Sequence, residues 1–162
     1  MYSTVTVKQV LDRKGHNVWS LDPEVSVLDA LKFMAEKNIG AVVVIVDKKP
    51  VGIFSERDYA RKVVLSEKNE ADTHINEVMT HQVIAVEPHY EIEKCLALMT
   101  GKFIRHLPVV NEHDEIIGVV SIGDLVKELL AEQKFVIDQL VHYITGEQRQ
   151  PSNAGSSDVE IP

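Results

Sequence analysis

Gly52-Ile-Phe-Ser-Glu-Arg-Asp58 returns 66 positions later as Gly118-Val-Val-Ser-Ile-Gly-Asp124, and this repeated ending decides the architecture. Upstream the match continues at an offset of 65, where Val18, Pro23, Leu31, Met34, Lys37, Ile39 and Val44 reappear as Val83, Pro88, Leu96, Met99, Lys102, Ile104 and Val109. Self-similarity at a fixed period marks a chain built from copies of one supersecondary unit, each unable to bury its apolar face alone. The 162 residues therefore read as two halves packed about a pseudo-twofold axis, and with 44% hydrophobic residues the halves can bury a shared core.

Each half predicts the same order. Short strands at 17–21 and 83–86 meet the turns Asp22-Pro23 and Glu87-Pro88. Helices follow, with Leu28, Leu31, Met34 and Ala35 in one stripe, Ile92, Cys95, Leu96 and Met99 in the other, and a capping box at Ser26 and Asp29. The β-branched run Ala41-Val-Val-Val-Ile-Val46 predicts a buried strand, then a Lys48-Lys49-Pro50 turn and a strand over 51–54. Its counterparts are strands at 107–110 and 116–120, and the last helix of each half starts at Ser55 or Ser121. The fold class is α+β, two β-α-β-β-α repeats over 7–69 and 75–135.

Lead-in segments precede both halves, Val7-Lys-Gln-Val-Leu11 and Ile75-Asn-Glu-Val-Met79, and are expected to brace the neighbouring copy. Ser66 to Thr73 is polar and suits a connector. The second copy ends in a longer helix, about 122–144 with an extension over 136–147, whose stripe includes Leu129, Leu130, Ile137, Leu140 and Ile144. So long an apolar stripe predicts self-association, with folding back over its own core as the alternative. Residues 148–162, rich in Ser, Gly, Pro, Asn and Gln, are read as a disordered tail.

The net charge of −8 argues against a nucleic-acid polymer or an anionic membrane surface as partner, since both demand a basic face. A single cysteine allows no intrachain disulfide, and the counterpart of Cys95 is Ala30, so a buried core residue is expected there. The apolar run 41–46 is too short to span a bilayer and the start has no signal-peptide pattern, which predicts a cytoplasmic protein. His16, His74, His81, His89, His113 and His142 show no metal-ligand spacing, so no metal is expected. Neither a Walker loop nor Gly-x-Ser-x-Gly is present, and no nucleophile and base stand out, so no enzyme is expected.

Two readings compete at the Ser-x-x-Asp endings. Serine capping its helix, with Asp answering the helix dipole, accounts for Ser55/Asp58 and Ser121/Asp124 without any ligand. The motif, however, stands twice in register beside basic residues, Arg57 and Arg61 in one copy, Arg105 and His106 in the other. A carboxylate accepts two hydroxyls at once, as vicinal ribose hydroxyls require, and helix N–H groups with arginine suit phosphate. A ribonucleotide meets these demands together. Trp19 is read as a half-buried strand aromatic, with stacking on a base as the alternative.

With the Gly-to-Asp endings, Ile104-Arg-His-Leu-Pro-Val-Val110 and the lead-in Ile75 to Thr80, the chain resembles a tandem pair of cystathionine-β-synthase-type (CBS) domains, a Bateman module, over about 7–130. The resemblance implies adenosine-containing ligands, AMP, ADP, ATP, NAD(H) or S-adenosylmethionine, in clefts between the repeats. It implies ribose on Asp58 and Asp124, Ser55 and Ser121 in the ribose-phosphate region, phosphate on Arg105 and His106, and an adenine side walled near Asp22 and Glu87. Arg57 and Arg61 are added from charge. Gly40-Ala41 stands where the second copy has Arg105-His106, and Gly123 where the first has Arg57, so two unequal sites are expected. The expected function is a stand-alone regulatory module, a homodimer sensing adenine nucleotides and cellular energy state for an unidentified protein target. The alternatives are a ligand-free dimerisation scaffold and a nucleotide-processing enzyme.

Overall fold

In a computed structural model describing residues 5–146, two pseudo-equivalent sheets form, β1 (Ser20–Leu21), β2 (Ala41–Val46) and β3 (Lys49–Ser55) in one, β4 (His106–Val110) and β5 (Ile116–Ser121) in the other. β1 runs parallel to β2, and β2–β3 and β4–β5 are antiparallel. Register shifts fall at equivalent places, Val44/Ile45 and Val109/Val110, so the repeats share even their irregularity. The helices are α1 (Val7–Lys14), α2 (Val27–Lys37), α3 (Glu56–Asp58), α4 (Ile75–Val78), α5 (Ile92–Lys102) and α6 (Ile122–Thr145).

Three expectations are corrected. The first strand of each half is shorter: only Ser20 and Leu21 pair in one copy, and Val86 alone bridges to Val109 in the other, because few residues there have a neighbouring strand within reach. The hairpin turn lies one residue earlier, at Asp47 and Lys48, both with positive φ (50° and 65°), the two-residue form whose twist matches the flanking strands. Pro50 consequently joins β3 opposite Ile45. At Ser26 the serine accepts from Asp29 N at 3.1 Å, a one-sided cap in place of a box. Beyond α3 the helix changes to π-type over Tyr59–Val64, whereas its counterpart α6 runs for 24 residues. The tail over 148–162 lies outside the described residues.

The lead-ins are exchanged. α1 is a full helix of eight residues, and Val7, Val10 and Leu11 are buried with Ile92, Cys95, Met99, Leu107 and Val120 in the core of the second repeat. Ile75, Val78 and Met79 are buried in the core of the first, with Val27, Met34, Val44 and Phe54. Three pairs of backbone hydrogen bonds repeat the exchange: Val7 N donates to Tyr90 O (2.9 Å) as Ile75 N does to Val25 O (2.9 Å), Lys8 N to Pro88 O (2.8 Å) as Asn76 N to Pro23 O (3.1 Å), and Ile92 N to Val5 O (3.0 Å) as Val27 N to Thr73 O (2.8 Å). Each repeat is thus completed by a segment that precedes the other, which fixes the two against each other and sets the clefts between them. Cys95 is fully buried and burial pushes its thiol pKa up, in keeping with a core residue.

On α6, Leu125 is buried and Leu129 packs on the second core, while Leu130, Phe135, Ile137, Leu140, Tyr143 and Ile144 are each more than half exposed. No helix among the described residues is long and apolar enough to cross a membrane.

Candidate functional site

β3 and β5 each end in a serine, the last paired residue of its strand, after which the chain turns into a helix, and both endings form reciprocal caps. Ser55 N donates to Asp58 Oδ2 at 3.0 Å and Asp58 N to Ser55 Oγ at 3.2 Å. Ser121 N donates to Asp124 Oδ2 at 2.8 Å and Asp124 N to Ser121 Oγ at 3.1 Å. Glu56 N closes on Gly40 O (3.1 Å) and Ile122 N on Arg105 O (2.8 Å), which brings the strand before each sheet's hairpin to the head of the following helix. The capping reading is therefore realised at both places.

The carboxylates have further partners. Asp58, 7% exposed, accepts from Ser55 Oγ (3.0 Å) and Thr80 Oγ1 (3.2 Å), and Lys62 Nζ stands 3.0 Å from its Oδ1. Asp124 Oδ2 takes Lys14 Nζ at 2.5 Å, and the same ammonium donates to Val119 O at 2.8 Å. Burial pushes the Asp124 carboxyl pKa up, but the bonds from Lys14 and Ser121 together outweigh it and hold the group below the usual carboxylate range.

Two clefts flank the meeting line of the repeats. The first, about 350 Å³, has Lys14, Trp19, Val43, Val119 and Ser121 in its wall. The second, about 400 Å³, gathers Ser55, Arg57, Asp58, Thr80, Phe103 and Arg105. Ala41, Ile53 and His106 line both. Ala41 and His106 occupy equivalent positions of the two copies, so the clefts meet where the pseudo-twofold relation brings equivalent strands together. Trp19, 47% exposed, stands edge-on to Phe33 at 6.2 Å with Lys37 Nζ 4.6 Å from its ring centroid. Both volumes fall within the range of small-ligand sites, roughly 300–1,000 Å³.

The second cleft brings together Gly40, Ser55, Arg57, Asp58, Arg105 and His106 from the sequence-predicted set. The first holds Ser121 and shares His106, but Asp124 is not in its wall and Lys14 is. Asp22, Arg61, Glu87 and Gly123 line neither cleft. Asp22 is exposed and accepts from Glu24 N within its turn, while Glu87 is exposed beside His89. Arg61 lies on the π-helix, and Gly123 in the first turn of α6. The walls are unequal, with two arginines in one and a single lysine beside the only tryptophan in the other.

Lys14, Thr80 and Phe103 escape the sequence reading. Lys14 and Thr80 belong to the lead-ins, whose destination depends on the exchange and not on any local pattern. Phe103 carries the one available signal. It follows α5 where the first copy has Asn38, and like Asn38 it takes a left-handed backbone (φ 55°), a conformation unfavourable for a bulky side chain. It is 80% exposed at the edge of the second cleft.

His106 has a testable pH signature. Burial, then the charge of Lys14, push its imidazole pKa below the ordinary histidine value, against an upward pull from Asp124, with Arg105 adding a further downward push. The folded chain then binds fewer protons than the unfolded chain between the two pKa values, so stability rises with pH through that window and is lost as pH falls below about 6.5. Urea unfolding at pH 7.5 and 5.5 is expected to show a larger loss for wild type than for His106→Gln. Equal losses would remove His106 as the cause.

Comparison with known proteins places these features in context. The profile of the CBS domain family matches residues 7–65 and 75–131. The chain is 33% identical over 158 residues to CBS domain-containing protein CBSX3, mitochondrial, of Arabidopsis thaliana, covering 90% of this chain and 74% of that one. A protein with CBS domains from Burkholderia ambifaria MC40-6 superposes with a TM-score of 0.74 at 45% identity, covering 80% of this chain and 96% of that one. The CBS domain pair of protein MJ0100, solved in complex with 5′-methylthioadenosine and S-adenosyl-L-methionine, shares the fold at 24% identity and a TM-score of 0.68, covering 77% of this chain and 99% of that one.

Proposed function

Because the chain belongs to the CBS domain family, we propose that it is a regulatory module that binds adenine nucleotides, AMP, ADP, ATP or NAD(H), in the two clefts and signals to a protein partner. The observation that carries this reading is the second cleft, where an acceptor pair, Ser55 and Asp58, stands beside Arg57, Arg105 and His106. Sugar hydroxyls need the acceptors and phosphate needs the cations, and a ribonucleotide presents both at one end. The ligands of the MJ0100 domain pair also contain adenosine, which supports the same chemical class.

The repeats, taken as 7–69 and 75–135, both contribute to each cleft, so a ligand bridging them biases their relative angle and passes that change to a partner. The exposed apolar side chains of α6 support a homodimer as the signalling assembly, and a sedimentation mass of one chain would remove that part of the reading.

A thermal-shift and calorimetry panel of AMP, ADP, ATP, NAD, NADH and S-adenosylmethionine tests the proposal. A nucleotide at a hundred times its dissociation constant is expected to stabilise the fold by about 2.7 kcal/mol. The scaffold reading has one observation in its favour: Asp58 is already paired by Ser55, Thr80 and Lys62 without any ligand. Silence toward the whole panel would decide for the scaffold, and turnover of ATP or NADH for an enzyme.

A further inference from the structure

The two clefts present opposite charges where their carboxylates should act. In the second, Asp58 itself is in the wall, and Lys62, which pairs with it, is not. In the first, Lys14 is in the wall and the carboxylate it grips is not. Lys14 comes from the last turn of α1, reaches Asp124 and Val119 O together, and keeps its side chain 36% exposed. The other titratable group in that wall is His106, which burial holds toward its neutral form. Lys37 is engaged above Trp19. A molecule entering the first cleft thus meets one ammonium, already committed to a carboxylate, and the Ser121 hydroxyl, but no carboxylate in the wall.

We infer that Lys14 is the specificity-determining residue of the first cleft: by occupying Asp124 it makes this cleft accept nucleotides, whose phosphate takes over the ammonium, and refuse uncharged nucleosides. A nucleoside that takes Asp124 Oδ2 leaves Lys14 with the Val119 carbonyl and no anion, whereas a nucleotide supplies a new anion for it. The exchange conserves charge pairing in one case and breaks it in the other. The second cleft has no such guard in its wall. This inference rests on the nucleotide-binding reading and assigns the two clefts different tolerance for uncharged ligands.

Trp19 is the only tryptophan and lines the first cleft and not the second, so its fluorescence reports on the first cleft directly. Titrations with AMP and adenosine on wild type, Lys14→Met and Lys14→Arg test the inference. Wild type is expected to prefer AMP about 10- to 100-fold, the factor carried by a hydrogen bond to a charged group. Lys14→Met is expected to lose most of that preference and to bind adenosine more tightly than wild type, whereas Lys14→Arg keeps the preference. Equal binding of adenosine and AMP by wild type overturns the inference without any variant, and so does an unchanged ratio in Lys14→Met. Both of those results leave nucleotide binding standing. Absence of binding by any nucleotide, in fluorescence and calorimetry alike, would instead overturn the functional reading and this inference with it.

Discussion

Leu11→Ala is expected to cost about 2–5 kcal/mol of stability, the usual range for emptying a fully packed leucine site. The size of the effect is not evident from where Leu11 stands in the chain, ahead of the first strand of the first repeat. Its side chain, 1% exposed, lies in the core of the second repeat, directly on Gly118 of β5. A Cβ at Gly118 would come within 2.7 Å of Leu11 Cδ2, so the glycine is there to admit the leucine. The equivalent glycine, Gly52, makes room for Met79 in the same manner, and a Cβ there would collide with the Met79 sulfur. Urea unfolding of Leu11→Ala should show the full loss, and Gly118→Val should cost about 1–3 kcal/mol by overpacking the same contact. A loss below 1 kcal/mol for Leu11→Ala would mean that α1 does not complete the second repeat.

Asp58→Ala is expected to separate capping from ligand binding in one protein. Removing the carboxylate leaves Ser55 N, the Thr80 hydroxyl and Lys62 without their shared acceptor, a loss of about 1–3 kcal/mol. On the proposed function the same change weakens nucleotide binding in the second cleft by about 100-fold, as two sugar hydroxyls lose their acceptor together. The first cleft, read through Trp19, should be unaffected. Calorimetry should then show two binding steps in wild type and one in Asp58→Ala. A variant that loses stability and keeps both steps would establish Asp58 as a cap and nothing more.

Much of this was legible because a repeat doubles every local signal. The proline-marked turns and the Ser-x-x-Asp endings appear twice in register, and these, with the β-branched run at 41–46, became the turns, caps and strand expected. Misreadings fell where the deciding contact or backbone conformation lies outside what residue types show. The first strands contracted because pairing needs a neighbour, which no alternation of residues supplies. The hairpin turn moved to Asp47-Lys48 because a backbone sign, and not the proline beside it, determines where the chain reverses. The candidate site was read most faithfully in the second cleft, where six of the expected residues meet, and least in the first, where Lys14 replaces Asp124 in the wall.

Periodicity and composition by themselves determined that this chain is a pair of α+β repeats, each ending in a serine-capped helix with a carboxylate at its head, because hydrophobic spacing and capping chemistry act over a few residues. Tertiary structure alone decided which lead-in completes which repeat, which side chains share a cleft, and which cation holds Asp124. Lys62 holds Asp58 from one helical turn away, but the cation on Asp124 comes from Lys14, 110 positions earlier, and no local pattern encodes that contact. Such contacts arise because neither repeat can close its core without a segment borrowed from ahead of the other.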